Sequence, residues 1–267
     1  MNRSMTLYKT DNILLVVSFL SQMNLSQYLD RIDCPVDQRS QEGLDLLTQL
    51  QYSHLATVPF TNLFVRNGDG TTLDPETIVP RIGAGGGGLC YDLNGAFAWL
   101  LETVGYDVSL VSARPMREDS SYGPEYDHLV LLVEDHLVDV GFGDFARQPL
   151  PLDGDHRTDV SGTYRVFKDG DDGYAVQKRS DDSWEDTYRF STIPRAPSEF
   201  AEMAEYHSTS ADSPFTGDLL VTLPTEDGRI TLSDTTLTTT ERGARRKRDV
   251  PPAQVESVLR DQFNLVA

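Results

Sequence analysis

Residues Arg81 to Asn94 read R-I-G-A-G-G-G-G-L-C-Y-D-L-N, so one cysteine comes directly after a run of glycines. Glycine costs backbone entropy in helices and strands, and Gly83 together with the glycines at 85–88 therefore predicts a loop that turns tightly or allows close approach. Apolar residues then recur at helical spacing up to Gly105, where a left-handed helix cap is expected. Cys90 is thus predicted to lie in the first turn of a helix, where the helix dipole favours a thiolate.

The composition restricts the classes of protein to which the chain can belong. With 267 residues, it is long enough to bury a core without disulfide bonds. Its two cysteines, Cys34 and Cys90, supply neither a disulfide framework nor a metal-ligand cluster, which predicts a cytoplasmic protein without a bound metal. The net charge of −19, from 42 acidic and 23 basic residues, argues against nucleic-acid binding.

The N-terminal residues contain an apolar run from Ile13 to Leu20. A bilayer needs ~20 apolar residues to be spanned, so this run is too short and we expect no association with a membrane. An acidic residue beside the run and the lack of a small-residue cleavage site argue against a signal peptide. Residues 1–22 are therefore interpreted as an N-terminal extension.

Lysine is scarce in this acidic chain, because Lys9, Lys168, Lys178 and Lys247 are the only lysines and arginine supplies the remaining positive charge. A surface of this kind repels itself, and dissolved salt screens that repulsion. The composition therefore predicts a halophilic protein, adapted to high salt concentrations.

Hydrophobic periodicity indicates three regions after the extension, which together predict an α+β fold. Residues 23–106 show helical spacing, with the last of three helices starting at Cys90. Residues 107–196 alternate between apolar and polar side chains and are divided by turn residues, which predicts an antiparallel barrel or sandwich. Residues 197–267 combine a short helix, two strands and a final helix. The strands of the middle region are expected at Val108–Ser112, His128–Val133, His136–Val140, Tyr164–Phe167, Tyr174–Gln177 and Tyr188–Phe190.

A nucleophilic cysteine needs a base, and the hairpin after His128 indicates which of the five histidines serves. If Glu134 and Asp135 form a two-residue turn, His128 and Asp139 lie on one face of the hairpin as diagonal neighbours within hydrogen-bonding reach. His136 then points to the opposite face, and a three-residue loop would reverse this assignment. A carboxylate in the apolar run around Asp139 needs a partner, and His128 is available.

At this point the chain resembles the arylamine N-acetyltransferases, over roughly residues 23–265. Each fragment alone is weak evidence, but all of them occur in the order of that family. The fragments are Val58-Pro59-Phe60, Gly87-Gly88-Leu89-Cys90 with Asn94, His128-Leu129, Asp139-Val140-Gly141-Phe142-Gly143, Ser208-Thr209-Ser210 and Ser213-Pro214-Phe215.

The resemblance implies a fold and an activity. The fold would be a helical bundle (23–106), a β-barrel (107–196) and an α/β lid (197–267). Cys90, His128 and Asp139 would form a catalytic triad that takes an acetyl group from acetyl-CoA, a co-substrate, with no permanently bound cofactor. The acceptor would be a small aromatic amine or hydrazine. Phe60 and Phe142 would line the acceptor side, although both also fit an ordinary core position.

Three positions depart from the family pattern. An arginine usually occupies the position of Gly86 and a glutamate that of Thr61, and in the family these two residues pair. Because both are replaced, no buried charge is left without its partner by the exchange. Asp92 stands where glutamate or glutamine is usual, two residues after Cys90.

Other readings of the sequence remain. A transglutaminase-like hydrolase or a macrolactam-forming amide synthase would use the same order of cysteine, histidine and aspartate. Gly83, Gly85 and Gly88 also fit the G-x-G-x-x-G pattern of nucleotide-binding proteins. That match is poor in context, because Pro80 interrupts the strand that should precede it.

A basic run from Arg242 to Arg248 contrasts with the acidic composition. It is compatible with binding the phosphates of CoA, but a solvated strand that balances the acidic surface is the favoured interpretation.

Overall fold

The computed structural model describes residues 24–34, 43–170 and 173–266, so the predicted extension at 1–22 lies outside the described residues. Among the residues described, no helix has both the length and the apolar character needed to span a bilayer. The helices are α1 (24–31), α2 (Leu44–Thr57), α3 (Leu63–Arg66), α4 (Pro75–Gly83), α5 (Cys90–Thr103), α6 (Ala201–Thr209) and α7 (Val255–Phe263).

Helix α5 confirms the main prediction for the opening stretch, because it begins at Cys90. It ends before Gly105, whose φ of 106° is the left-handed conformation expected after a helix. Most of α5 is buried, so Cys90 stands at the start of a core helix. A buried helix fixes the position of its first residue through all of its packing contacts.

The prediction that Gly83 belongs to a loop is wrong, because Gly83 is the last residue of α4. Helix α4 starts at Pro75 after an N-cap, Asp74, whose side chain accepts the Glu76 N–H. Pro80 therefore lies inside a helix and does not interrupt a strand. A helix before the glycines also removes the strand that a G-x-G-x-x-G nucleotide site requires.

Eight antiparallel strands form the central sheet, in the spatial order β5-β4-β3-β2-β9-β8-β7-β6. Strand β5 also contacts β6 and β7, so the sheet nearly closes into a barrel and is not a sandwich. The strands are β2 (Val108–Pro115), β3 (His128–Val133), β4 (His136–Val138), β5 (Leu150–Pro151), β6 (His156–Asp159), β7 (Gly162–Lys168), β8 (Gly173–Ser180) and β9 (Ser183–Ser191).

A second antiparallel sheet has the order β1-β10-β11-β12-β13 and packs its apolar face against α7. Its first strand comes from the helical region, between α2 and α3. The basic run continues from Arg242, in the preceding turn, into β13, an edge strand whose six residues are all exposed. The strands are β1 (Phe60–Thr61), β10 (Leu220–Thr225), β11 (Gly228–Ser233), β12 (Thr236–Glu241) and β13 (Ala244–Asp249). With the helices, the two sheets confirm the α+β class.

The β3–β4 hairpin has the predicted register. Val133 pairs with His136 and Leu131 with Val138, which leaves Glu134 and Asp135 as a two-residue turn. This register places His128 and Asp139 on the same side of the hairpin.

Candidate active site

Cys90 lies against the hairpin with very little space around its backbone. A Cβ atom added to Gly141 would lie 2.7 Å from the Cα of Cys90, closer than real side chains approach. The side chain of Cys90 is buried, at 5% exposure. On its other side, the Thr61 N–H donates to the carbonyl of Gly88 at 2.9 Å and ties the glycine loop to β1. Glycines on both sides of Cys90 thus allow backbone segments to meet at the thiol.

His128 and Asp139 form a buried pair. Nε2 of His128 lies 2.8 Å from Oδ2 of Asp139. Because a carboxylate only accepts, Nε2 carries a proton and Nδ1 is the nitrogen left for Cys90. Burial by itself lowers the pKa of His128, but Asp139 and, less strongly, Cys90 raise it, with a net pKa of about 10. The arrangement favours a positively charged imidazole beside the sulfur.

Three further groups hold the carboxylate of Asp139. Its Oδ1 accepts from Asn94 Nδ2 at 3.0 Å and from the Gly141 N–H at 2.8 Å. Its Oδ2 also accepts from the Tyr188 hydroxyl at 3.1 Å. Burial and the adjacent carboxylate raise the pKa of Tyr188 well above its ordinary value, so this hydroxyl stays a donor. Each carboxylate oxygen of Asp139 thus has two hydrogen-bond partners, which restrains its orientation towards His128.

Asn94 and Tyr188 were not among the site residues predicted from the sequence. Asn94 lies one helical turn after Cys90, and its side-chain oxygen also accepts the Val140 N–H at 2.9 Å. That four-residue spacing puts it on the face of α5 that carries the thiol, a signal the sequence does contain. Tyr188 comes from β9, about fifty residues beyond Asp139, and no local pattern marks it.

The two predicted aromatic residues lie beside this cluster. The ring of Phe142 makes an edge-to-face contact with His128, at 5.2 Å between centroids, and is partly exposed. Phe60 is buried and is joined to the glycine loop through the neighbouring Thr61. A third ring, Phe215, packs edge-to-face on Phe60 at 5.8 Å. The structure thus brings three aromatic rings to the hairpin and the glycine loop.

Arg81 and Asp92 form an ion pair that sequence reasoning missed. Arg81 Nη1 lies 3.1 Å from Oδ1 of Asp92, whose side chain is 1% exposed. Asp92 also accepts from the Leu89 N–H at 3.0 Å, so the pair is attached to the residue before Cys90. A Cβ atom at Gly86 would lie 2.8 Å from Cγ of Arg81. The glycine loop therefore has an arginine beside it, as in the family pattern, but here the arginine is Arg81 of α4 and not a residue at position 86. The Arg81 side chain occupies the space that a side chain at position 86 would need.

Replacing Arg81 with methionine is expected to lower the free energy of unfolding by about 3 kcal/mol at mildly alkaline pH, since the Asp92 charge loses its counter-ion. Burial already raises the pKa of Asp92 to about 6, against hydrogen bonds from Thr71 and the charge of Arg81 that lower it. Without Arg81 this pKa rises further. A carboxyl whose pKa is higher in the folded than in the unfolded state destabilises the fold increasingly as pH rises. The loss of unfolding free energy in the variant should therefore be smaller in acid, where Asp92 is protonated.

Denaturant unfolding at acidic and at mildly alkaline pH measures this difference. The matched control is Arg260→Met, which removes an arginine that is 61% exposed and pairs with Asp261. An exposed pair contributes little, so the control should change stability only slightly. Equal deficits for Arg81→Met at both pH values would contradict the account.

Comparison with known proteins agrees with the fold and with the family that the sequence resembles. The family model for N-acetyltransferases matches residues 43–267. An arylamine N-acetyltransferase of Mycolicibacterium smegmatis is 32% identical over 91% of this chain and 92% of that protein. Proansamycin X synthase of Amycolatopsis mediterranei is 31% identical over 70% of this chain and 74% of that protein.

Solved structures show the same similarity. An arylamine N-acetyltransferase of Bacillus cereus, described as having a Cys-His-Glu catalytic triad, superposes with a TM-score of 0.84 at 25% identity, over 91% of this chain and 99% of that one. The corresponding enzyme of M. tuberculosis superposes with a TM-score of 0.82 at 29% identity, over 90% of this chain and 93% of that one. This chain therefore belongs to the arylamine N-acetyltransferase family and is an acetyltransferase.

Proposed function

We propose that the protein transfers an acetyl group from acetyl-CoA to an arylamine or arylhydrazine through an acetyl-cysteine intermediate on Cys90. The observation that carries the proposal is the buried His128–Asp139 pair beside a thiol at the start of a core helix. In this proposal Cys90 is the nucleophile, His128 the base and Asp139 the group that orients the base.

Before the first half-reaction, Nδ1 of His128 takes the proton of Cys90 and forms a thiolate–imidazolium pair, and the thiolate then attacks the carbonyl carbon of the thioester. The first turn of a helix leaves backbone N–H groups without intrahelical acceptors. Those of Cys90 and a neighbouring residue would stabilise the negative oxygen of the tetrahedral intermediate. The carbon–sulfur bond to CoA then breaks, and CoA leaves as a thiol with the proton from His128.

In the second half-reaction, the nitrogen of the acceptor attacks the acetyl group on Cys90. His128 accepts a proton from that nitrogen, the bond to Cys90 breaks, and the N-acetyl product leaves. Phe60 and Phe142 would contact a flat aromatic acceptor, since aromatic rings prefer edge-to-face or offset contacts with one another. The two half-reactions predict ping-pong kinetics.

Mass spectrometry after incubation with acetyl-CoA, without an acceptor, tests the proposal. The peptide that contains Cys90 should carry an acetyl group, and this group should disappear when an arylamine is added, with release of the N-acetylated amine. Cys34 is also a free, buried thiol, so its peptide is the internal control and should stay unmodified. If the folded protein forms no adduct on Cys90, the proposal fails and the amide-synthase or hydrolase reading takes its place.

We also propose domain limits, a cellular location and a working salt concentration for the protein. We place the domain limits at residues 106/107 and 196/197, which fall in connections between elements, before β2 and before the short 3₁₀ helix Pro197–Phe200. Two unpaired cysteines support a cytoplasmic location. The acidic composition supports function at high salt concentrations.

A further inference from the structure

A second histidine–carboxylate pair lies next to the first one in the sequence. Nε2 of His207, in α6, is 2.8 Å from Oδ1 of Asp127. The two side chains are 4% and 15% exposed. Asp127 directly precedes His128, so this pair ties α6 to the beginning of β3. No step of the proposed mechanism uses it.

The other ring nitrogen of His207 points to the segment that carries Phe215. Nδ1 lies 3.2 Å from Oγ of Ser213, and the same Oγ accepts the Phe215 N–H at 3.2 Å. The His207 and Phe215 rings also make an edge-to-face contact, with centroids 5.0 Å apart. His207 therefore holds Phe215 both through Ser213 and by direct ring contact.

Phe215 in turn belongs to the aromatic group beside the candidate site. Its ring packs on Phe60, and its carbonyl accepts from Asn62 Nδ2 at 3.0 Å. Phe215 is partly exposed, whereas His207 and Ser213 are buried. A partly exposed ring on a fixed backbone can contact a flat substrate, provided that the residues that fix its position stay in place.

We propose that His207 is a positioning residue for the second half-reaction: anchored by Asp127, it holds Phe215 against Phe60 and thereby sets the affinity for the acceptor amine. This inference rests on the proposed acetyl transfer. His207 acts through Phe215 and not on the reacting atoms. The first half-reaction depends on Cys90, His128 and Asp139, so it should be insensitive to the anchor.

The ping-pong scheme separates the two half-reactions in an experiment. The acetylation rate is measured on the free enzyme with acetyl-CoA in a single turnover, and the acceptor step is measured by titrating the acetylated enzyme with phenylhydrazine. In His207→Phe, which keeps a ring but loses both hydrogen bonds, the KM for phenylhydrazine should rise about ten-fold, the effect of losing roughly one hydrogen bond. The acetylation rate should stay within about two-fold of wild type.

Two further variants make the result specific. Ser213→Ala removes only the hydroxyl between His207 and Phe215 and should raise the same KM, so the test survives if His207→Phe does not fold. His207→Gln retains a donor and an acceptor and should restore part of the affinity. His156→Phe, at an exposed histidine of β6, is the control and should change neither half-reaction.

The inference is overturned if the acceptor KM is unchanged in both His207→Phe and Ser213→Ala, or if acetylation slows as much as the acceptor step, because a merely structural role would affect both. Absence of an acetyl adduct on the wild-type enzyme would instead refute the proposed function. The two failures are therefore distinguishable.

Discussion

Replacing Asp139 with asparagine is expected to lower the rate of acetylation of Cys90 by about 10³- to 10⁴-fold, the effect that loss of the orienting carboxylate has in Ser-His-Asp enzymes. Oδ1 of Asp139 accepts two N–H groups, from Asn94 and Gly141. The asparagine must therefore keep its oxygen there and turn its NH₂ group towards His128.

That orientation gives the histidine the wrong tautomer. The amide would donate to Nε2, so the ring proton would move to Nδ1, the nitrogen that has to accept the proton of Cys90. A neutral ring that is already protonated at Nδ1 cannot take the thiol proton, so the thiolate–imidazolium pair would not form, although the ring stays in place. Stopped-flow measurement of single-turnover acetylation gives the rate directly.

The pH dependence should change in a defined direction. Asp139 is the main group that raises the pKa of His128, against burial, which lowers it. Without the carboxylate the pKa of His128 falls, so the imidazolium is lost at a lower pH. The alkaline limb of the acetylation rate should move towards neutral pH in the variant.

The control for this prediction is Asp227→Asn, the same chemical change at a half-exposed aspartate that pairs with Arg242 in the second sheet. It should leave the rate and the pH profile unchanged. An Asp139→Asn enzyme with near-normal acetylation and an unshifted profile would remove Asp139 from the mechanism.

Dialysis from molar salt into low salt is expected to unfold the protein. The net charge is −19, and the Debye length grows from ~3 Å at 1 M to ~30 Å at 0.01 M, so repulsion between surface carboxylates is screened only at high salt. Circular dichroism and thermal melting across a KCl series should show the melting temperature falling steeply as salt is removed.

Two comparisons identify repulsion as the cause. Sucrose at matched osmolarity should not replace KCl, because it screens no charge. A triple variant with glutamine at the exposed glutamates Glu102, Glu202 and Glu205 should need less salt to fold than the wild type. Full stability of the wild type at low salt would refute the adaptation to salt.

Features encoded within short segments could be read from the sequence. The two-residue turn at Glu134 fixed the hairpin register, because side chains alternate strictly along a strand, and the register brought His128 to Asp139. The start of α5 at Cys90 followed from glycines before it and helical spacing after it. Both signals lie within about ten residues of the feature that they predict.

Features that depend on distant partners could not be read in this way. Helix α4 contains Pro80 and ends on Gly83, which both disfavour a helix locally, and its packing on α5 overrides that preference. The Arg81–Asp92 pair depends on how α4 is oriented. Strand β5 has two residues, too few for any alternating pattern, and exists only because it pairs with β4.

Strand β13 has a further consequence for the behaviour of the protein at high concentration. It forms the open edge of the second sheet, and its residues 245–248 are Arg-Arg-Lys-Arg, all exposed. An open edge offers unpaired backbone groups to any other strand, and this is how β-proteins aggregate. If a second copy paired through the same edge, its cationic side chains would lie opposite these, and the like charges would repel one another. In this acidic protein, the basic strand therefore opposes edge-to-edge pairing that would extend the sheet from one molecule to the next.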